Sequence, residues 1–237
     1  MFCNSKNKFK SGCLFYILSF LVNYVAFSQS PHSTIGGWLM LFNQTRLSEK
    51  WSIHAEAQYR SFEIVPNTDQ ILLRGGINYH FNTSAFASLG YANVTNCAID
   101  KEITPGIVVS ENRAWQQFLM RNSMGRCFFE HRYRLEQRWL LSNGNTSYLD
   151  RIRYLLRLTI PINKKLVEKK TLFLSFYDEI FIHFSHTPFD RNRLYGAIGY
   201  QFNSNANIQI GYLAQTVNIT TKHYLQLALF YNLDFRK

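Results

Sequence analysis

The chain has 237 residues, of which 46% are hydrophobic and 16% aromatic, with 20 Phe, 14 Tyr and a formal net charge of +11. That length and the lack of a Pro/Gly/Ser-rich linker fit one large all-β domain, and a mean hydropathy of -0.18 excludes a bundle of membrane helices. The arginines fall at alternate positions within strand-like runs, not in a contiguous basic patch, so nucleic acid is not an expected partner.

The N-terminus reads as a secretory signal peptide covering residues 1–28. Lys6, Lys8 and Lys10 form a basic region, Leu14 to Phe27 an apolar one, and Ala26-Phe27-Ser28 a small-x-small cleavage site before Gln29. Ser19 and Asn23 interrupt the apolar run, which is shorter than the roughly 20 residues of a spanning helix. Residues 29–237 are then the mature domain. No cysteine sits just after the cut, so no lipid-anchored N-terminus is expected.

Trp38 to Asn43 is a short apolar segment whose facing the pattern leaves open. From Trp51 onward the period is two. Ser52, His54, Glu56, Gln58 and Arg60 oppose Trp51, Ile53, Ala55, Ala57 and Tyr59. Gln70, Leu72, Arg74, Gly76, Asn78 and His80 oppose Ile71, Leu73, Ile77, Tyr79 and Phe81, and a turn at Asn82-Thr83-Ser84 leads into Ala85 to Thr95. Asn96 to Ser110, with Pro105-Gly106, is the longest irregular stretch. Glu111 to Arg121 and Arg126 to Leu141 pair around Asn122 to Gly125, and Ser142 to Ser147 forms the next loop.

The clearest strand is Phe129 to Leu141. Glu130, Arg132, Arg134, Glu136 and Arg138 share one face, and Phe129, His131, Tyr133, Leu135, Gln137 and Trp139 the other. In Leu149 to Ile160, Arg151, Arg153 and Arg157 face away from Ile152, Tyr154, Leu156 and Leu158. After a basic turn from Pro161 to Lys170, Ser175, Tyr177, Glu179 and His183 oppose Leu172, Leu174, Phe176, Ile180 and Ile182. The loop Ser185 to Asn192 precedes strands over Arg193 to Phe202, Asn207 to Thr216 and His223 to Phe235.

These segments predict an antiparallel transmembrane β-barrel of about 10–12 strands with short turns alternating with longer loops. About ten crossings run from Trp51 to Phe235, which would leave the C-terminus periplasmic. The segment Trp38 to Asn43 makes the count odd, so either a further crossing exists or that segment lies at the rim or in the lumen. Cys97 and Cys127 then fall at opposite rims, on the order of 25 Å apart against the roughly 6 Å a disulfide spans, and both are expected as free thiols.

Volume decides which face points inward. Large apolar side chains on about ten strands exceed what a small barrel can enclose, whereas arginines and glycines suit a crowded polar lumen. A two-sheet sandwich is the structural alternative. The predicted lumen carries an electropositive ladder of Arg60, Arg74, Arg132, Arg134, Arg138, Arg151, Arg153 and Arg157, with Glu56, Glu130, Glu136, Glu179 and Asp234 as partners.

Several stretches carry a resemblance: LSEKWSIHAEAQYR at Leu47 to Arg60, ENRAWQQFLMRN at Glu111 to Asn122, FEHRYRLEQRW at Phe129 to Trp139, LDRIRYLLRL at Leu149 to Leu158, YDEIFI at Tyr177 to Ile182 and FDRNRLYGAIGYQF at Phe189 to Phe202. They resemble the small uncharacterised outer-membrane β-barrel proteins common in the Bacteroidota, a family carried as a domain of unknown function. The resemblance implies a barrel in the bacterial outer membrane and brings no catalytic residues. The alternating apolar ending with Phe235, followed here by Arg236 and Lys237, is similar to the signal read by the outer-membrane assembly machinery, which with membrane lipid is an implied partner.

Three functional readings follow. The arginine ladder would line a narrow path for small anionic solutes, or its alternation with acids would make an ion-paired plug. A lipid hydrolase or acyltransferase would need a Ser activated by His, with His54, His80, His131, His183 and His186 and with Ser88, Ser175 and Ser185 on offer, but no Gly-x-Ser-x-Gly supports it and a non-enzymatic role is expected on balance. A recognition protein would use the outer loops, with Asp190-Arg191-Asn192-Arg193 the most polar site. No residue spacing calls for a metal or cofactor.

Overall fold

In the computed structural model residues 35–64, 67–97, 108–184 and 187–236 are described. The expected signal peptide, Cys3 and Cys13, the Pro105-Gly106 loop, Ser185 and His186 lie outside them. The described chain is all-β, a closed barrel of eleven strands. These are β1 (Gly36–Arg46), β2 (Trp51–Ser61), β3 (Thr68–His80), β4 (Ala85–Cys97), β5 (Val108–Met124), β6 (Cys127–Ser142), β7 (Asn145–Pro161), β8 (Thr171–His183), β9 (Phe189–Gln201), β10 (Ala206–Val217) and β11 (Thr220–Asp234).

Sequential neighbours pair antiparallel all the way round, and the barrel closes by a parallel pairing of β1 with β11, Gly36 opposite Tyr224 and Arg46 opposite Asp234. An odd strand count forces one such parallel seam. This corrects both expectations for Trp38 to Asn43. The segment is neither a rim nor a lumen element and needs no twelfth crossing, because it is a full wall strand hydrogen-bonded to β2 and β11.

The alternation works as a two-sided code. Outward side chains such as Leu89 (63% exposed) and Ile198 (57%) cover the outside, while inward ones such as Arg134 (3%) and Glu136 (1%) are buried in the lumen. Inward glycines make room for large rings. A Cβ on Gly76 would stand 2.7 Å from the Trp115 ring, and Gly90 would clash with the same indole, so Trp115 lies flat against the wall of β3 and β4.

The expected regular alternation of short turns and long loops is not kept. At the rim bearing the C-terminus the connections are 47–50, 81–84, 125–126, 162–170 and 202–205; at the other rim 143–144 and 218–219 are two-residue turns. The loop expected at Ser142 to Ser147 is thus an Asn143-Gly144 turn that lets β6 and β7 run long. Cys97 ends β4 at one rim and Cys127 begins β6 at the other, and both thiols are free. Arg236, just past the last strand, pairs with Asp234 and with Glu49 at 3.1 Å, which holds its guanidinium above its usual pKa.

Candidate functional site

The lumen is a network of guanidinium and carboxylate groups with Glu136 at its centre. From β6, Glu136 takes Arg153 Nη1 at 2.6 Å and Arg151 Nη2 at 2.7 Å from β7, Arg74 Nη2 at 3.5 Å from β3, and Arg134 Nη1 at 3.8 Å from its own strand. Arg74 and Glu136 sit three strands apart, so this pair ties one side of the wall to another across the interior. Glu179 on β8 takes Arg132 at 2.7 Å, Arg153 Nη2 at 2.6 Å and Arg193 at 3.6 Å. Glu56 takes Arg74 Nη1 at 2.9 Å, and Glu130 takes Arg157 at 3.4 Å and Arg121 at 3.0 Å.

Two carboxylates that the sequence reading did not assign complete the set. Glu111 on β5 is shared by Arg113 and Arg138, each Nε at 2.5 Å, and Asp190 on β9 takes Arg151 at 2.8 Å and Arg191 at 3.0 Å. Glu111, Arg113, Trp115 and Gln117 alternate along β5, so the same period that revealed β6 was present there. Asp190 and Arg191, read as rim residues, belong to β9, where a register shift beside Phe181 and Ile182 accommodates them. Asp234, named as a possible lumen acid, stays at the C-terminal rim with Arg236.

All eight arginines of the predicted ladder point inward. Seven have a carboxylate partner. Arg60 has no carboxylate at ion-pair distance among the described residues, Asp69 acting on it only from farther off: its Nη2 donates to Gln58 Oε1 at 3.3 Å and its guanidinium lies 3.6 Å from the Trp38 ring centroid. Arg193 approaches the same indole at 5.0 Å and donates to Gln215 Oε1 at 2.8 Å. Buried, partly paired guanidinium groups are therefore gathered around Trp38.

Beside the ionic network is an apolar cluster inside the lumen. Trp38, Leu155, Tyr177, Tyr195, Ala197, Leu213 and Tyr224 pack together with Met40 against them. The cluster draws Leu155 from β7 and Trp38 from β1, so it too crosses the interior. Between network and cluster lies a cavity of about 350 Å³. Its walls carry Arg60, Arg74, Arg113, Arg132, Arg134, Arg138, Arg151, Arg153, Arg157, Arg191 and Arg193, against Glu56, Glu111 and Glu179.

Among the described residues the candidate nucleophiles and histidines are not assembled in the way the hydrolase reading would need. Ser88 and Ser175 are buried without a hydrogen-bond partner for their hydroxyls, and His183 Nδ1 contacts the Asp150 carbonyl at 2.9 Å. His131 Nδ1 contacts the Tyr154 hydroxyl on the outer face at 2.9 Å, and His54 sits 3.3 Å from Glu56. The sequence reading did not count Ser52 among the nucleophiles, yet its hydroxyl is 2.8 Å from His80 Nε2 and accepts from Asn78 at 2.9 Å and Gln44 at 3.1 Å. Ser52 is fully buried and does not reach the cavity.

Fold and lumen together define a closed β-barrel with an ion-paired, arginine-rich interior. The chain belongs to the family described as a protein of unknown function, DUF2490, whose model matches residues 35–226. No curated protein and no solved structure matches it.

Proposed function

We propose that this is a bacterial outer-membrane barrel whose closed lumen is a binding chamber for small anionic solutes. The exterior supports the location: an apolar outer surface on a sheet without free edges is what a bilayer requires, because every backbone donor and acceptor is met within the wall. The carrying observation for the chamber is its lining, eleven arginines around one cavity whose ion pairs draw on only six carboxylates, Glu56, Glu111, Glu130, Glu136, Glu179 and Asp190. Buried guanidinium charge in such excess is unfavourable without counter-charge, so an anion of compatible size is stabilised on entry.

An open pore is the less favoured form of the same idea. The Arg74–Glu136 salt bridge from β3 to β6 and the apolar cluster that includes Trp38 and Leu155 both cross the space a solute would traverse.

The test is the unfolding midpoint of the refolded protein in liposomes, titrated with chloride, phosphate and pyrophosphate at constant ionic strength. Specific binding to the folded state alone adds about 2.7 kcal/mol at a hundredfold excess over Kd. The expected result is stabilisation that rises with anion charge and is lost in Arg60→Gln with Arg193→Gln. Equal midpoints in all three anions would sink the chamber.

A further inference from the structure

Asp178 breaks the outward row of β8. Leu174, Phe176, Ile180 and Ile182 share that row, and the residues in register on either side, Leu156 on β7 and Leu194 on β9, are apolar. Its carboxylate therefore opens away from the lumen, within the surface assigned above to lipid, and the inference rests on that assignment. Asn192 Nδ2 on β9 donates to Asp178 Oδ1 at 2.6 Å. One such bond does not satisfy a carboxylate, which offers about four acceptor positions, and the amide keeps a second N–H. In hydrocarbon both remainders demand a partner, and ionisable groups at that depth mark functional surfaces.

We infer that the Asp178–Asn192 pair is the centre of an interface with a second copy of this chain. Two copies inserted in the same direction can be related by a twofold axis along the membrane normal, which brings equal depths face to face. The pair is self-complementary under that operation. The spare amide N–H of Asn192 in one copy meets the carboxylate of Asp178 in the other, and the reverse contact forms at the same time. A foreign partner would have to bring a donor and an acceptor at this spacing, whereas a second copy carries them already.

The experiment uses the full mature chain with Cys97→Ser and Cys127→Ser, so that introduced thiols report alone. Leu194→Cys is placed at the inferred axis, and Leu73→Cys, outward on β3, serves as the control. Each protein is reconstituted into phospholipid liposomes, oxidised and run without reducing agent. Leu194→Cys should give a band at twice the monomer mass and Leu73→Cys should not. Adding Asp178→Leu with Asn192→Leu should cut the trapped dimer at least tenfold while the heat-dependent gel shift of the folded barrel persists. Equal trapping at both positions, or a dimer untouched by the double leucine change, would overturn the inference. Protein that does not float with the liposomes would overturn the membrane reading and take the interface with it, a failure separate from a membrane-inserted monomer.

Discussion

Glu136 shows how one carboxylate organises a lumen. It is 1% exposed and holds guanidinium groups from β3, β6 and β7, so its charge is the counterweight to Arg74, Arg134, Arg151 and Arg153 together. Removing one member of a buried ion pair leaves the others uncompensated and costs about 3–5 kcal/mol, whereas an exposed pair contributes about 1 kcal/mol or less. Glu136→Gln is therefore expected to destabilise the barrel by that larger amount in a urea titration in lipid. Glu49→Gln, on a rim side chain that is 79% exposed, should shift the midpoint little. Similar small effects for both would mean that the interior is wet enough to screen its charges. The arginine ladder and its acids on β6 were legible in the sequence because each alternates with apolar residues on a single strand. Which acid meets which arginine was not, since Arg74 and Glu136 are distant in sequence and meet only after closure. Asp178 was passed over for the converse reason: one polar residue in a row of five apolar ones does not disturb the period.

At the scale of elements, β1 explains where period two loses its power. Trp38 and Met40 point inward and Leu39 and Leu41 outward, so both faces of the strand are apolar. The amphipathic contrast that identifies a wall strand vanishes wherever the lumen itself is apolar, as it is around Trp38. The long hairpin β6–β7 illustrates the opposite case, in which the turn was present in the sequence but read as a loop. Asn143 and Gly144 have φ of 50° and 78°, the two left-handed positions of a type I′ turn, whose twist matches that of the flanking strands. A β-branched residue is strained in that region by about 1–3 kcal/mol. Gly144→Val should lower the unfolding midpoint and the yield of folded barrel accordingly, and Asn143→Gly should be tolerated. A Gly144→Val protein as stable as the parent would show that the turn does not hold the register of β6 on β7.

For the whole molecule the question is what keeps a barrel of eleven strands shut. Two kinds of matter fill it, the ionic network on one side and the apolar cluster on the other, and they respond differently to substitution. Losing a carboxylate from the network leaves guanidinium groups that repel one another and a less stable wall, so it tests folding more than passage. The cluster is the better place to open a path, because Trp38→Ala with Leu155→Ala removes large side chains and leaves every charge in place. Cavities of this kind cost about 2–5 kcal/mol per large-to-small change, and in a lumen the vacated space borders groups that water can solvate. In a planar bilayer the parent protein is expected to pass no steady current, and the double alanine variant to show discrete steps. With a salt gradient the reversal potential should carry the sign of anion selectivity, since the path so opened runs past Arg60 and Arg193. Steps that favour cations would show that the six carboxylates, not the surplus arginines, set the field inside. A variant that folds and stays silent would place the closure in the ionic network, where Arg74 reaches Glu136 across the barrel.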